Sequence, residues 1–342
     1  MEQNGRKLTP ASQSPLLQVN RLKKHFPIKG GLLRRQVGAV SAVDGVSFDL
    51  FAGETLGLIG GPGSGKSTLA KTILHLIKPT SGTVQFAGQE LTRLDKQDLR
   101  RIRRKMQMVF HDPYLAINPQ MRIKDIVGEP LQIHNLGDVA TREARIDALL
   151  QMVDLNPYLR GRFPFELTGQ MRQRISLARA LATEPALLVT DEVTAVLDPV
   201  VQQPFTALLR RLQQQQGLAI LYLASELTTP RQLCDRVGIL YLGRIVEVAE
   251  TAVLYRHPLH PYTQYLLSLL PVADPSSETR RQTITLSGDE PNLAQPPSGC
   301  RFHPRCAYAT ELCRGQEPGF RNLGTPAQPH LVACHHAEQF SA

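Results

Sequence analysis

The feature that most constrains this chain is a glycine-rich loop set between an apolar run and an amphipathic one. Leu56 to Ile59 is apolar, the loop itself is Gly60-Gly61-Pro62-Gly63-Ser64-Gly65-Lys66-Ser67-Thr68, and Thr68-Leu69-Ala70-Lys71 reads as the first turn of a helix. This is G-x-x-x-x-G-K-[ST] in the strand, loop, helix setting that the motif requires. Glycines let backbone N–H groups close around phosphates. Lys66 can reach the β and γ phosphates, the Ser67 hydroxyl can ligate Mg²⁺, and the positive end of the helix adds to the anion field. An ordinary glycine turn would need nothing further, but a second stretch supplies the missing half of a nucleoside-triphosphate site. Ala186-Leu187-Leu188-Val189-Thr190-Asp191-Glu192 reads as a buried strand ending in an acidic pair. There Asp191 would hold Mg²⁺ through water and Glu192 would polarise an attacking water.

At 342 residues the chain can bury a substantial core, as one large domain plus an appendage or as two modest domains. The loop motif occurs once, which predicts a half-unit rather than a tandem pair. Met1 to Pro15 is polar, without an apolar core of signal-peptide length. Nowhere do about eighteen apolar residues run together, so a cytosolic chain without its own membrane anchor is expected. The net charge of +9 is concentrated in Arg34-Arg35 and in Arg100-Arg101-Ile102-Arg103-Arg104-Lys105. A solvated helix face explains the second run. With no Trp and no aromatics interleaved among the charges, no nucleic-acid partner is expected, while a position against anionic lipid is compatible.

Phe165-Glu166-Leu167-Thr168-Gly169-Gln170-Met171-Arg172-Gln173-Arg174-Ile175-Ser176-Leu177-Ala178-Arg179-Ala180-Leu181 puts Ile175, Leu177, Ala178 and Leu181 on one helical face, with Arg172, Arg174 and Arg179 available to the polar side. Standing about ten residues before the Asp-Glu strand, this segment resembles the signature region of ATP-binding cassette proteins. Leu197-Asp198 looks like that family's D-loop, and Val109-Phe110-His111-Asp112-Pro113 stands where its Q-loop belongs. Leu22-Lys23-Lys24-His25-Phe26 resembles its A-loop, which makes Phe26 the candidate to stack on adenine, unless it is simply a partly buried strand-end ring. His257-Pro258-Leu259-His260-Pro261-Tyr262-Thr263-Gln264 is similar to the start of the C-terminal extension in the ATPases of oligopeptide and dipeptide permeases.

The resemblance implies an α/β P-loop cassette with an antiparallel β subdomain, a helical subdomain and an irregular, cysteine-containing C-terminal extension. The expected boundaries are a polar segment 1–15, an ATPase domain 16–255 with its helical subdomain at about 111–165, and an extension 256–342. It further implies ATP and Mg²⁺ as ligands, with nucleotide contacts from Phe26, Gly60, Gly61, Pro62, Gly63, Ser64, Gly65, Lys66, Ser67, Thr68 and Asp191, and catalysis by Glu192 and Lys66. Thr168, Gly169 and Gln170 would serve the site of a second, related ATPase bound head to tail as a heterodimer. Two transmembrane permease subunits and an extracytoplasmic peptide-binding protein would complete an importer. The surface at Tyr114 to Pro119 would receive a coupling helix, although Tyr114-Leu115 reads equally as core. The chain would then sit peripherally on the cytoplasmic face of a bacterial cytoplasmic membrane. A nucleotide-binding scaffold whose partner hydrolyses ATP, and a soluble cassette protein outside transport, are the alternative functions.

Four of the five cysteines fall late, as Cys300-x5-Cys306-x6-Cys313-x20-Cys334. In a cytosolic protein four clustered thiols suggest a metal more than disulfides. Zinc hairpins show closer C-x2-C pairs, so a 4Fe-4S cluster is favoured over zinc, and either would order a tail poor in apolar residues. Cys234 reads as a packed core residue.

The chain also departs from the family. His111 replaces the Q-loop Gln, Leu167-Thr168-Gly169-Gln170 replaces Leu-Ser-Gly-Gly, and Ser225 stands where the switch His belongs, with no later histidine before His257. Should position 170 need positive φ, Gln would be costly there. These changes predict that nucleotide binding survives better than hydrolysis.

Overall fold

The computed structural model describes residues 14–30, 35–195, 197–270, 284–288 and 291–341. The polar segment 1–15 therefore lies almost wholly outside the described residues, as do residues 31–34 of the basic insertion. The strands are β1 (Leu17–Gly30), β2 (Arg35–Leu50), β3 (Thr55–Ile59), β4 (Ser81–Phe86), β5 (Gln89–Glu90), β6 (Met106–Val109), β7 (Leu187–Asp191), β8 (Ala219–Ala224), β9 (Arg236–Tyr241), β10 (Arg244–Glu250), β11 (Arg321–Asn322) and β12 (Leu331–Val332). They form a four-stranded sheet, β2-β1-β4-β5, and an eight-stranded sheet, β11-β12-β10-β9-β3-β8-β7-β6.

The second sheet owes its middle to strands that read as unbroken apolar runs. Every residue of β3, β7 and β8 is buried, as parallel strands covered on both faces require. β3 pairs in parallel with β8 and β9, and β7 with β6 and β8. Strand alternation then divides the core. Ile220, Tyr222 and Ala224 of β8 join the cluster formed with the helices. Ala219, Leu221 and Leu223 face the cluster shared with the antiparallel sheet. Leu242-Gly243 turns β9 into β10 with positive φ at both residues, as a two-residue hairpin loop demands.

The helices up to residue 216 are α1 (Lys66–Ile73), α2 (Lys96–Arg103), α3 (Pro113–Ala116), α4 (Ile123–Ile133), α5 (Val139–Met152), α6 (Gly169–Leu181) and α7 (Pro199–Gln216). The basic run lies at the end of α2, where Arg100 and Arg101 are exposed and Arg103 donates to the Leu74 carbonyl. Two arginines of α6 depart from expectation. Arg172 and Arg174 are buried. Arg172 donates to Pro164 O and lies 3.8 Å over the Tyr114 ring. Arg174 donates to Val153 O and Asp154, and Arg179 to Ala116 O and Glu129. Arg172 and Arg174 are enclosed, so their guanidinium groups satisfy carbonyls of neighbouring segments instead of facing water, whereas Arg179 stays partly exposed.

Beyond residue 256 the described residues dock on the cassette. β12 adds to β10, pairing Val332 with Glu247 and Leu331 with Val248. Glu247 is fully buried, and its carboxylate accepts from Leu259 N (2.7 Å), His260 N (3.0 Å) and His330 Nε2 (2.6 Å). Phe302 packs edge-on to Tyr241 at 5.3 Å. Arg301 joins Lys23 and Arg244 around Asp44. Burial would raise the Asp44 carboxyl, but hydrogen bonding and charge from Arg244, with Arg301 and Lys23, hold it well below the usual range. Glu247→Ala would leave three buried donors without an acceptor, at about 1–3 kcal/mol each. Residues 321–341 are therefore expected to lose protection in hydrogen exchange while β3, β7 and β8 keep it; unchanged protection would refute the role of Glu247.

Candidate nucleotide site

The parallel strands β3, β7 and β6 all end at one edge of the sheet, and their exits carry the residues singled out by sequence. Gly60 N donates to Ala224 O (3.2 Å), tying the start of the loop to the end of β8. A side chain at Gly60 would meet Leu240 O at 2.2 Å, and one at Gly65, where φ is +102°, would meet Ala42 O at 2.0 Å. Only glycine fits either position. Gly65 caps α1, which begins at Lys66 and aims its first N–H groups toward the loop.

Lys66 is buried, and its ammonium donates to Gly60 O (2.6 Å), Gly61 O (3.0 Å) and Ser64 Oγ (3.4 Å), with Glu192 Oε1 at 3.1 Å. It is thus anchored by weak neutral acceptors and one carboxylate, from which phosphate oxygens can draw it. The Ser67 hydroxyl donates to Asp191 Oδ1 at 3.0 Å. Two hard oxygen donors side by side suit Mg²⁺. Burial pushes the Asp191 carboxyl up, and adjacent Glu192 adds to that against the Ser67 hydroxyl and the Lys66 charge. Glu192 adopts φ +49°, a left-handed conformation that a non-glycine residue reaches at some cost.

Other candidates take distinct places. Phe26 lies in β1 opposite Val40, 37% exposed, with the Lys24 ammonium 5.0 Å above its ring. Thr168 caps α6, accepting from Met171 N at 3.3 Å. Gly169 and Gln170 occupy its first turn with no positive φ, so the expected conformational cost at Gln170 is absent. Ser225 is half-buried just past β8. His111 is exposed past β6, with Nδ1 3.2 Å from Glu192 O.

The tail cysteines do not make the expected ligand set. Burial pushes the Cys300 thiol up to about 11 and the Cys334 thiol up to about 12, and each of these two is within electrostatic reach of other tail thiols. Yet among the described residues no three His, Cys, Asp or Glu side chains are placed to hold a metal ion. The thiols have local partners instead: Cys313 Sγ lies 3.5 Å from Thr310 Oγ1 and from His336 Nε2, and Cys334 Sγ accepts from His336 N. Neither the 4Fe-4S expectation nor zinc finds support in this geometry. Cys234 is packed in the core.

Sequence reasoning missed Tyr262, which the extension inserts beside the loop. Its hydroxyl accepts from Gly61 N at 3.1 Å, and its ring lies 4.6 Å from Tyr241 and 5.4 Å from Phe302. The motif around it was visible, but its partner is 201 residues away.

Residues 43–195 match the family model for ABC transporters, and residues 246–313 match that for the oligopeptide/dipeptide transporter C-terminal region. The chain is 43% identical over 329 residues to the oligopeptide transport ATP-binding protein AppF of Bacillus subtilis (strain 168), covering 96% of this chain and 99% of that protein. It is 41% identical to a probable peptide ABC transporter ATP-binding protein of Sinorhizobium fredii, covering 94% and 89%. Among solved structures it is similar to the dimeric ATP-binding cassette MJ0796 bound to ADP and Pi in a post-hydrolysis state. There the TM-score is 0.61 at 26% identity, over 69% of this chain and 98% of that one.

Lys66→Ala removes the buried ammonium of the loop and is expected to abolish tight Mg-ATP binding, read by titration with a fluorescent ATP analogue. Unchanged affinity would show that Lys66 is no phosphate ligand. Tyr262→Phe keeps the ring but strands Gly61 N, a loss of about 1 kcal/mol, so nucleotide affinity should weaken about fivefold; an unaltered constant would mean that the extension does not brace the loop.

Proposed function

The chain belongs to the ABC transporter family, and from that premise we propose that it is the ATP-binding subunit of a peptide importer. One observation carries the reading: a complete phosphate loop with its Asp191-Glu192 pair is continuous with an extension of the oligopeptide/dipeptide type, whose Tyr262 touches that loop. ATP would lie over Gly60 to Thr68, with Lys66 on its phosphates and Phe26 available to the adenine. Mg²⁺ would be held by Ser67 and Asp191, where it would neutralise phosphate charge. Glu192 would take a proton from the attacking water.

The partners proposed are a second ATPase, which Thr168, Gly169 and Gln170 would serve at the capped end of α6, two transmembrane subunits and an extracytoplasmic peptide-binding protein. A cleft of about 400 Å³ lined by Tyr114, Asn118, Pro119, Met121, Glu129 and Arg179 supports a docking place for a membrane subunit. Tyr114 is 62% exposed there, and no described helix is long and apolar enough to cross a membrane. The expected boundaries 16–255 and 256–342 are kept as the catalytic and extension units. The scaffold and non-transport readings are not favoured, since Glu192 stands 3.1 Å from Lys66 and the extension is of the permease type.

Affinity capture of the tagged chain from detergent-solubilised membranes should recover two integral membrane proteins and a second cassette ATPase. Tyr114→Ala should reduce recovery of the membrane proteins while leaving ATP-analogue binding intact. Recovery of ribosomal proteins in their place would overturn the transport reading.

A further inference from the structure

Glu192 leaves β7 between two other strand exits. On one side Val109 of β6 pairs with Thr190, which puts His111 level with Glu192 and its Nδ1 3.2 Å from the Glu192 carbonyl oxygen. On the other side Leu223 O of β8 accepts Glu192 N–H at 2.9 Å, and Ser225 comes two residues later. His111 and Ser225 therefore lie on opposite sides of the acidic end of β7, His111 level with Glu192 and Ser225 one residue further along. Among the hydrogen bonds and ion pairs of the described residues, His111 is the one histidine that reaches Glu192 or Lys66.

The contact sets the tautomer. A carbonyl oxygen can only accept, so Nδ1 carries the proton, and Nε2 of the neutral ring is an acceptor. Nε2 has no hydrogen-bond partner among the described residues, and the side chain is exposed. Ser225 offers a hydroxyl close to the backbone and is half-buried.

We propose that His111 is a catalytic residue of this ATP site, holding the attacking water through Nε2 and supplying from the β6 side an imidazole that Ser225 does not supply from the β8 side. This role rests on the ATP-hydrolysing reading above. One water proton passes to the Glu192 carboxylate while the other is hydrogen-bonded to Nε2, which aims the water lone pair at the γ phosphorus. The new O–P bond forms as the bond from the γ phosphorus to its bridging oxygen breaks. That electron pair leaves with ADP, and the proton remains on Glu192. Anchoring of the ring to Glu192's own backbone keeps the two acceptors in register, which is what orientation requires.

The test uses the full chain with its captured partners, comparing wild type with His111→Ala, His111→Ala/Ser225→His, Glu192→Gln and Lys66→Ala. Single-turnover ATP hydrolysis and fluorescent-nucleotide affinity are measured separately. His111→Ala is expected to lower the hydrolytic rate about a hundredfold at unchanged nucleotide affinity. His111→Ala/Ser225→His, which returns an imidazole to the other side of Glu192, is expected to recover most of that rate. Wild-type turnover in His111→Ala, or no recovery in the double variant, overturns the assignment. So does loss of affinity in His111→Ala, which would mark a structural role. If wild type shows no hydrolysis sensitive to Glu192→Gln, the role of His111 falls while nucleotide binding stands. If Lys66→Ala leaves affinity intact, the underlying site reading itself fails.

Discussion

The parallel pairing of β3 with β8, and of β8 with β7, is the constraint on which the rest depends. Ile59 opposite Ala224, and Asp191 opposite Leu223, bring the phosphate loop and the acidic pair to one edge although 124 residues separate Ser67 from Asp191. Ligands bind outside the carboxyl ends of such strands because the loops there diverge and helix N-termini point inward. A slip of one residue in either pairing would exchange the faces of every side chain on a strand buried on both sides.

Within that frame the charges are few and close. Lys66 is the cation common to the loop carbonyls and Glu192, and Asp191 is tied to Ser67. The electrostatics are therefore built to be rearranged by a polyanion. Incoming phosphates would replace neutral carbonyl acceptors around Lys66, while the glycines at 60 and 65 leave backbone where any side chain would collide.

The extension is more than an appendage in physical terms. It lengthens the main sheet through β12, buries Glu247 against His330, and puts a tyrosine hydroxyl on Gly61 N. The expectation that a metal orders it underestimated docking: Phe302 and Tyr262 bury their rings against Tyr241, and Arg301 reaches Asp44. The apolar surface that the tail lacks is lent by the cassette.

The nucleotide loop, the acidic pair, the central apolar strands and the kind of extension were legible because each is a local pattern whose chemistry lies in consecutive residues. What crosses the chain was not. Arg172 and Arg174 read as a polar face, yet neighbouring helices bury them. Whether position 170 needs positive φ was not written in the sequence, and it does not: Gln170 sits in an ordinary helical turn. No histidine follows Ser225 in sequence before His257, whereas strand pairing puts His111 beside Glu192 from 81 residues upstream. Sequence alone determined which chemistry the chain can offer, because a motif carries its donors with it. Tertiary structure decided which donors meet, because inter-strand register and burial are set by contacts between segments that no local pattern encodes.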